Sequence, residues 1–100
     1  MTQQQPPFIV ALQKHDPKFA EVVGTGRDFI LQDGALSAKV KTLMTMLCDC
    51  LLAHEAGVKT IADRARGVGA TEEEIAETVR IAFLMGGLPG LVTGCNAFRE

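Results

Sequence analysis

The sequence predicts an all-helical protein, a small bundle of about six helices. Apolar residues recur at three- and four-residue spacing, and glycine, proline and capping residues separate these periodic stretches. No run of alternating apolar and polar residues is long enough to indicate a strand. A length of 100 residues suits one domain, so we expect residues 1–100 to form a single domain.

The first two predicted helices lie before residue 33. Residues 7–14 predict a short helix. Asp16 followed by Pro17 indicates the start of the second, because a capping residue is followed by proline at the first helical position. Gly24 and Gly26 lie inside this second helix, and we expect them to weaken or bend it.

The third predicted helix, which Ser37 can cap, is apolar on nearly every face. Such a helix belongs at the centre of a bundle or in a subunit interface. A fourth helix follows and stops at Gly67. Its apolar positions are Val58, Ile61, Ala62 and Ala65.

The fifth predicted helix has the clearest start, since Thr71 and Glu74 form a capping box. Gly86 and Gly87 are expected to break it, and Pro89 can open a last helix. The predicted inward face of the fifth helix comprises Ile75, Val79, Ala82, Phe83 and Gly86. The last helix is expected to bury Leu91, Val92, Cys95 and Phe98.

The composition narrows the range of partners. The chain is 47% hydrophobic, which is more than one small domain easily covers, so we expect a homo-oligomer. The net charge is −2 and the Lys and Arg residues are scattered, so no nucleic acid partner is expected. No apolar run approaches the roughly 20 residues that cross a bilayer, and the opening MTQQQPP lacks the features of a secretion signal. We therefore expect no membrane partner and a cytoplasmic location.

The three cysteines are odd in number, and Cys48 and Cys50 are too close for an ordinary structural disulfide. Reduced thiols are the simpler interpretation. Two cysteines two residues apart on one helix cannot both bind one ion, so we expect no metal and no cofactor.

Three segments together resemble the carboxymuconolactone decarboxylase and alkylhydroperoxidase D superfamily, namely DGALSAKVKTL, GATEEEIAE and FLMGGLPGLV. The resemblance implies an all-helical subunit that forms trimers or hexamers, with its site where two helices meet. The peroxidase branch of that superfamily carries Cys-x-x-Cys-x-x-x-His there and a glutamate on the preceding helix. This implies a peroxiredoxin-type antioxidant oxidoreductase that reduces small hydroperoxides. The decarboxylase branch uses polar residues in place of the thiols.

The chain departs from this pattern at the site. In a gapless alignment, His54 takes the place of the first cysteine and Gly57 that of the second. Ile61 takes the place of the histidine, and Thr42 that of the glutamate. This alignment leaves neither a nucleophilic thiol nor its usual base.

A second alignment uses Cys50 and His54 as Cys-x-x-x-His, displaced by seven residues. On one helix these side chains would be neighbours, close enough for a thiolate and imidazolium pair. If the helix instead ends near Ala53 and His54, Cys50 lies in its last turn, where the helix dipole opposes a thiolate.

Three functions follow from these patterns. The first is a thiol-dependent alkylhydroperoxidase with Cys50 as nucleophile and His54 as base. The second is a catalytically silent oligomer that binds a small molecule or a protein. The third is a non-thiol decarboxylase or lactone-processing enzyme with His54 and Glu55 as acid and base. The structural alternative is that Cys48 and Cys50 are small buried hydrophobes and that His54 is hydrogen-bonded.

Overall fold

The computed structural model describes residues 7–99, which are mostly helical and contain no strand. The all-helical prediction is confirmed. A bend inside the last helix reconciles five helices with the predicted six. The elements are α1 (Pro7–His15), α2 (Pro17–Leu31), α3 (Ala38–Leu51), α4 (Glu55–Gly67), α5 (Glu72–Gly94) and a short 3₁₀ turn (Cys95–Ala97).

Contacts divide the chain after Gln32 into two units. The first unit contains α1 and α2, and the Asp16 carboxylate accepts a hydrogen bond from the backbone N–H of Phe19, as a helix cap does. The predicted start of α2 is therefore confirmed. α2 continues without interruption through Gly24 and Gly26, and among residues 7–99 nothing lies within 4 Å of a Cβ placed on either glycine.

The second unit contains α3, α4 and α5, and α3 packs against both of the other helices. The Ser37 hydroxyl accepts the Val40 N–H and caps α3 as predicted. Thr42, Met46 and Cys50 recur every four residues and form its buried face. The prediction of a central helix is confirmed within this unit.

α4 and α5 complete the core of the second unit. The capping box of Thr71 and Glu74 is present in both directions, as predicted. The buried residues of α4 are Val58, Ala62 and Ala65, and those before the bend of α5 are Ile75, Val79 and Ala82. The predicted burial of Phe83 is wrong, because this side chain lies exposed at the edge of the packed face.

α5 bends sharply at Gly87, whose φ of 65° lies in the left-handed region. After the bend the chain returns along itself, since a Cβ placed on Gly90 would lie 2.5 Å from the Ala82 carbonyl oxygen. The returning segment buries its small face, Gly90, Thr93 and Gly94. The predicted burial of Val92, Cys95 and Phe98 is therefore wrong, and Leu91 is half-buried.

The segment Glu72–Ala97 is long and apolar enough to cross a membrane by length and composition alone. Core helices of soluble proteins pass the same test. Ile75, Val79 and Ala82 of this segment lie in the core of the second unit. The segment is therefore weak evidence for a membrane protein.

Candidate functional site

The candidate site lies where α3 ends and α4 begins. α3 ends at Leu51, and His54 occupies the N-cap position of α4. Between them, Ala53 has a φ of 61°, a conformation that costs free energy for a residue with a Cβ. This conformation reverses the chain and places His54 at the start of a new helix instead of on α3.

Asp49 contacts His54 twice. The His54 backbone N–H donates to the Asp49 carbonyl at 2.9 Å, and the imidazole Nδ1 lies 3.0 Å from Asp49 Oδ1. A carboxylate only accepts hydrogen bonds, so Nδ1 is the donor in this contact, and Nε2 is the nitrogen that does not contact Asp49. The imidazole is 58% exposed and the carboxylate 21%, so the histidine faces solvent above a partly covered partner.

Gly57 makes room for this carboxylate. A Cβ on Gly57 would lie 2.6 Å from Asp49 Oδ2 and 3.4 Å from the His54 Cβ. The carboxylate therefore lies directly against the first turn of α4, where the helix dipole favours a negative charge. The residue aligned with the family's second cysteine thus has a packing role here.

Glu55 is the first residue of α4 and is exposed beside His54. Its carboxylate makes no hydrogen bond or ion pair with any residue between 7 and 99. Two of the predicted site residues, His54 and Glu55, therefore lie together at the same helix start.

Cys50 is buried, whereas His54 and Glu55 are exposed. It is 1% exposed in the last turn of α3, and burial, with the nearby Asp49 charge, raises the pKa of its thiol to about 11. Its Sγ packs against Gly94 of α5, since a Cβ there would lie 3.4 Å away. Within residues 7–99 no hydrogen bond joins the Cys50 thiol to His54. A neutral, buried thiol is a poor nucleophile.

The other two cysteines and Thr42 form no reactive arrangement with any residue between 7 and 99. Cys48 and Cys95 are exposed free thiols. Thr42 is buried and donates its hydroxyl to the Ala38 carbonyl at 2.7 Å. Among the residues that the structure describes, no three His, Cys, Asp or Glu side chains are grouped to bind a metal ion.

The arrangement is a solvent-facing imidazole at the junction of two helices, and the Cys50 thiol of the predicted pair is buried. The sequence model of the carboxymuconolactone decarboxylase family matches residues 17–100. The chain belongs to this family. An uncharacterized protein of Methanocaldococcus jannaschii is 25% identical over 92 residues, which cover 92% of this chain and 86% of that protein. No solved structure matches the chain.

Asp49 is the residue of the candidate site that the sequence analysis missed. It lies five residues before His54, a spacing that indicates no contact on a continuous helix. The only available signal was an acidic side chain among the apolar residues and cysteines of the last turn of α3. An acid there opposes the helix dipole unless another group stabilises it.

Proposed function

We propose that this protein is a non-thiol enzyme that transfers a proton to or from carbon next to a carboxylate or lactone carbonyl. His54 is its acid–base residue, and Asp49 orients the imidazole. The observation that supports this proposal is the 3.0 Å contact between His54 Nδ1 and Asp49 Oδ1 at an exposed helix junction.

The imidazole has the arrangement that general acid–base catalysis requires. With Nδ1–H donated to Asp49, Nε2 is the free base and takes a proton from a C–H bond beside the carbonyl. The electron pair of that bond moves into the carbonyl as an enolate. The Asp49 carboxylate stabilises the imidazolium that forms, as the carboxylate does in a catalytic triad.

Decarboxylation uses the same groups in the opposite direction. When the bond to a departing CO₂ breaks, its electron pair remains on carbon and is delocalised into the lactone carbonyl. The imidazolium then donates the Nε2 proton to that carbon. Glu55, one residue away and exposed, is the second group that can exchange protons with the substrate.

Hydrogen–deuterium exchange tests this proposal directly. A panel of small lactone carboxylates is incubated with the protein in D₂O, and NMR follows deuterium incorporation beside the carbonyl and any loss of CO₂. We expect His54→Gln to abolish the reaction. Asp49→Asn should lower kcat by about 10²–10⁴-fold, because the imidazole loses its fixed tautomer. Glu55→Gln should have a smaller effect.

A matched thiol variant separates this proposal from a peroxidase. Cys50→Ser should leave the lactone reaction unchanged, and the wild-type protein should not consume hydroperoxides faster than that variant. If His54→Gln exchanges deuterium as fast as wild type, the acid–base proposal is wrong. Peroxide consumption that Cys50→Ser abolishes would instead support the thiol-dependent alkylhydroperoxidase. No turnover of either substrate class would favour a binding module.

We also propose that the protein is a homo-oligomer, with a trimer or hexamer as the expected form. Large apolar side chains are exposed around and after the bend of α5. Leu84 is 73% exposed and Met85 70%, and Leu88 and Val92 continue the same apolar surface. Burial of such side chains between subunits is favourable by about 1.5–3 kcal/mol for each one fully covered.

A further inference from the structure

A cavity lies in the second unit, and none of its lining residues belongs to the His54 site. It is a groove of about 310 Å³ between the two arms of α5 and the residue that follows the 3₁₀ turn. Its lining is Ala76, Val79, Arg80, Phe83, Leu91 and Phe98.

The fold of α5 creates this groove. The bend at Gly87 returns the chain beside itself, so that Leu91 of the second arm faces the side of the first arm that carries Phe83. Gly90 allows the two arms to approach closely, because any Cβ there would strike the Ala82 carbonyl oxygen. Phe98, after the 3₁₀ turn, also lines the groove.

The groove combines an apolar wall with one unneutralised charge. Apart from Arg80, every lining side chain is aliphatic or aromatic. Arg80 is exposed and makes no hydrogen bond or ion pair with any residue between 7 and 99. Other arginines of this unit differ, because Arg66 binds Glu72 and Asp63 and Arg99 lies 3.5 Å from Asp63.

We propose that this groove binds a small carboxylate with an apolar body, such as a medium-chain fatty acid. The apolar part lies between Phe83, Leu91 and Phe98, and the carboxylate pairs with the Arg80 guanidinium. A volume of about 310 Å³ suits roughly ten non-hydrogen atoms, given about 30 Å³ for each water displaced. Octanoate has about this number of non-hydrogen atoms, with an apolar chain and one carboxylate at its end.

An NMR titration with octanoate tests the proposal. We expect saturable shifts of the Ala76, Leu91 and Phe98 amides in the wild-type protein. Arg80→Gln should weaken octanoate binding about threefold to fivefold, the change that an exposed ion pair supports. It should leave the binding of 1-octanol, which has no charge, unchanged. Phe83→Ala should weaken the binding of both ligands.

Two controls make the result decisive. Lys59 lies outside the groove, is exposed and has no ion-pair partner among residues 7–99. Lys59→Gln should therefore not alter octanoate binding. His54→Gln should not alter it either, which separates this site from the proposed enzyme site. Equal losses in Arg80→Gln and Lys59→Gln, or no saturable shifts in wild type, would contradict the proposal. Binding that appears only after an oligomer is dissociated would show that a second copy occupies the groove, and would also overturn it.

Discussion

At the junction of α3 and α4, one aspartate fixes the position of one histidine through two contacts. The Asp49 carbonyl accepts the His54 backbone N–H, and the carboxylate pairs with the imidazole. Sequence spacing predicted that His54 belongs to a site, but it paired the histidine with Cys50. That pairing assumed a continuous helix. Because Ala53 adopts a left-handed conformation, His54 leaves the line of α3 and meets Asp49 instead.

Gly57→Ala should disturb this pair without affecting the rest of the fold. The new Cβ would lie 2.6 Å from Asp49 Oδ2, so the carboxylate must move away from α4. We expect the imidazole ¹⁵N shifts of His54 to report a mixed tautomer, and the proposed proton transfer to slow by about tenfold to a hundredfold. Gly24→Ala is the matched control, since that position is open and the change should stabilise α2 by about 0.4–1 kcal/mol. Unchanged His54 shifts in Gly57→Ala would contradict this account.

Cys50 should make the stability depend on pH in the alkaline range. Burial raises the pKa of this thiol from 9.0 to about 11, so the folded state retains the proton more strongly than the unfolded state. The contribution of the protonated Cys50 thiol to the free energy of unfolding is complete below pH 9, and it is lost as the pH rises to about 11. In urea titrations at pH 8.5 and 10.5, wild type should therefore lose more stability than Cys50→Ala does.

Alkylation gives an independent measure of the same environment. Iodoacetamide at pH 8 should label the exposed Cys48 and Cys95 and leave Cys50 unmodified, as mass spectrometry of the folded protein would show. Labelling of Cys50 at the rate of the other two would mean that its burial is transient, and would favour the thiol-dependent hypothesis.

Among the helices, the starts were predictable and the burial after the bend was not. Asp16, Ser37 and Thr71 each cap the helix that their sequence positions indicate, because a cap is a local interaction. The last arm of α5 behaves differently. Large apolar residues normally mark the buried face, but here the buried residues of the second arm are the small Gly90, Thr93 and Gly94. Gly90 lies against Ala82, and Gly94 lies against Val79 and Cys50. A contact between residues on two arms is not visible in helical periodicity.

Gly90→Ala should therefore be one of the more damaging small substitutions in the chain. Its Cβ would meet backbone, the Ala82 carbonyl oxygen at 2.5 Å, and backbone cannot rotate aside as a side chain can. We expect a loss of about 1–3 kcal/mol in the free energy of unfolding, measured by urea denaturation. Gly26→Ala, in a helix with open space around it, should be neutral or stabilising. Equal stability of the two variants would mean that the arms separate readily.

At the scale of the whole molecule, much apolar surface lies outside the described cores. The sequence predicted this excess from composition alone, but it could not say which side chains remain uncovered. The structure identifies a concentration at the bend of α5, with Leu84, Met85 and Leu88 all strongly exposed. We propose that a second subunit covers these three residues of α5.

Negative charge at this surface should dissociate the proposed oligomer. We expect wild type to sediment as an oligomer and the double variant Leu84→Glu with Leu88→Glu to sediment as a monomer, because two desolvated carboxylates would oppose association. Val68→Glu introduces one such charge at an exposed apolar residue after α4 and should leave the proposed oligomer intact. A monomeric wild-type protein at micromolar concentration would refute self-association.

The bend at Gly87 also limits the length of apolar helix that α5 extends along one axis. Drawn as a straight rod, its 23 residues would measure about 35 Å, enough for the roughly 30 Å hydrocarbon layer of a bilayer. Divided at Gly87, the first arm measures about 22 Å and the second about 10 Å, at about 1.5 Å per residue. Neither arm by itself matches the thickness of that layer. A single glycine thereby divides a stretch of membrane-spanning length into two short helical arms that pack against each other.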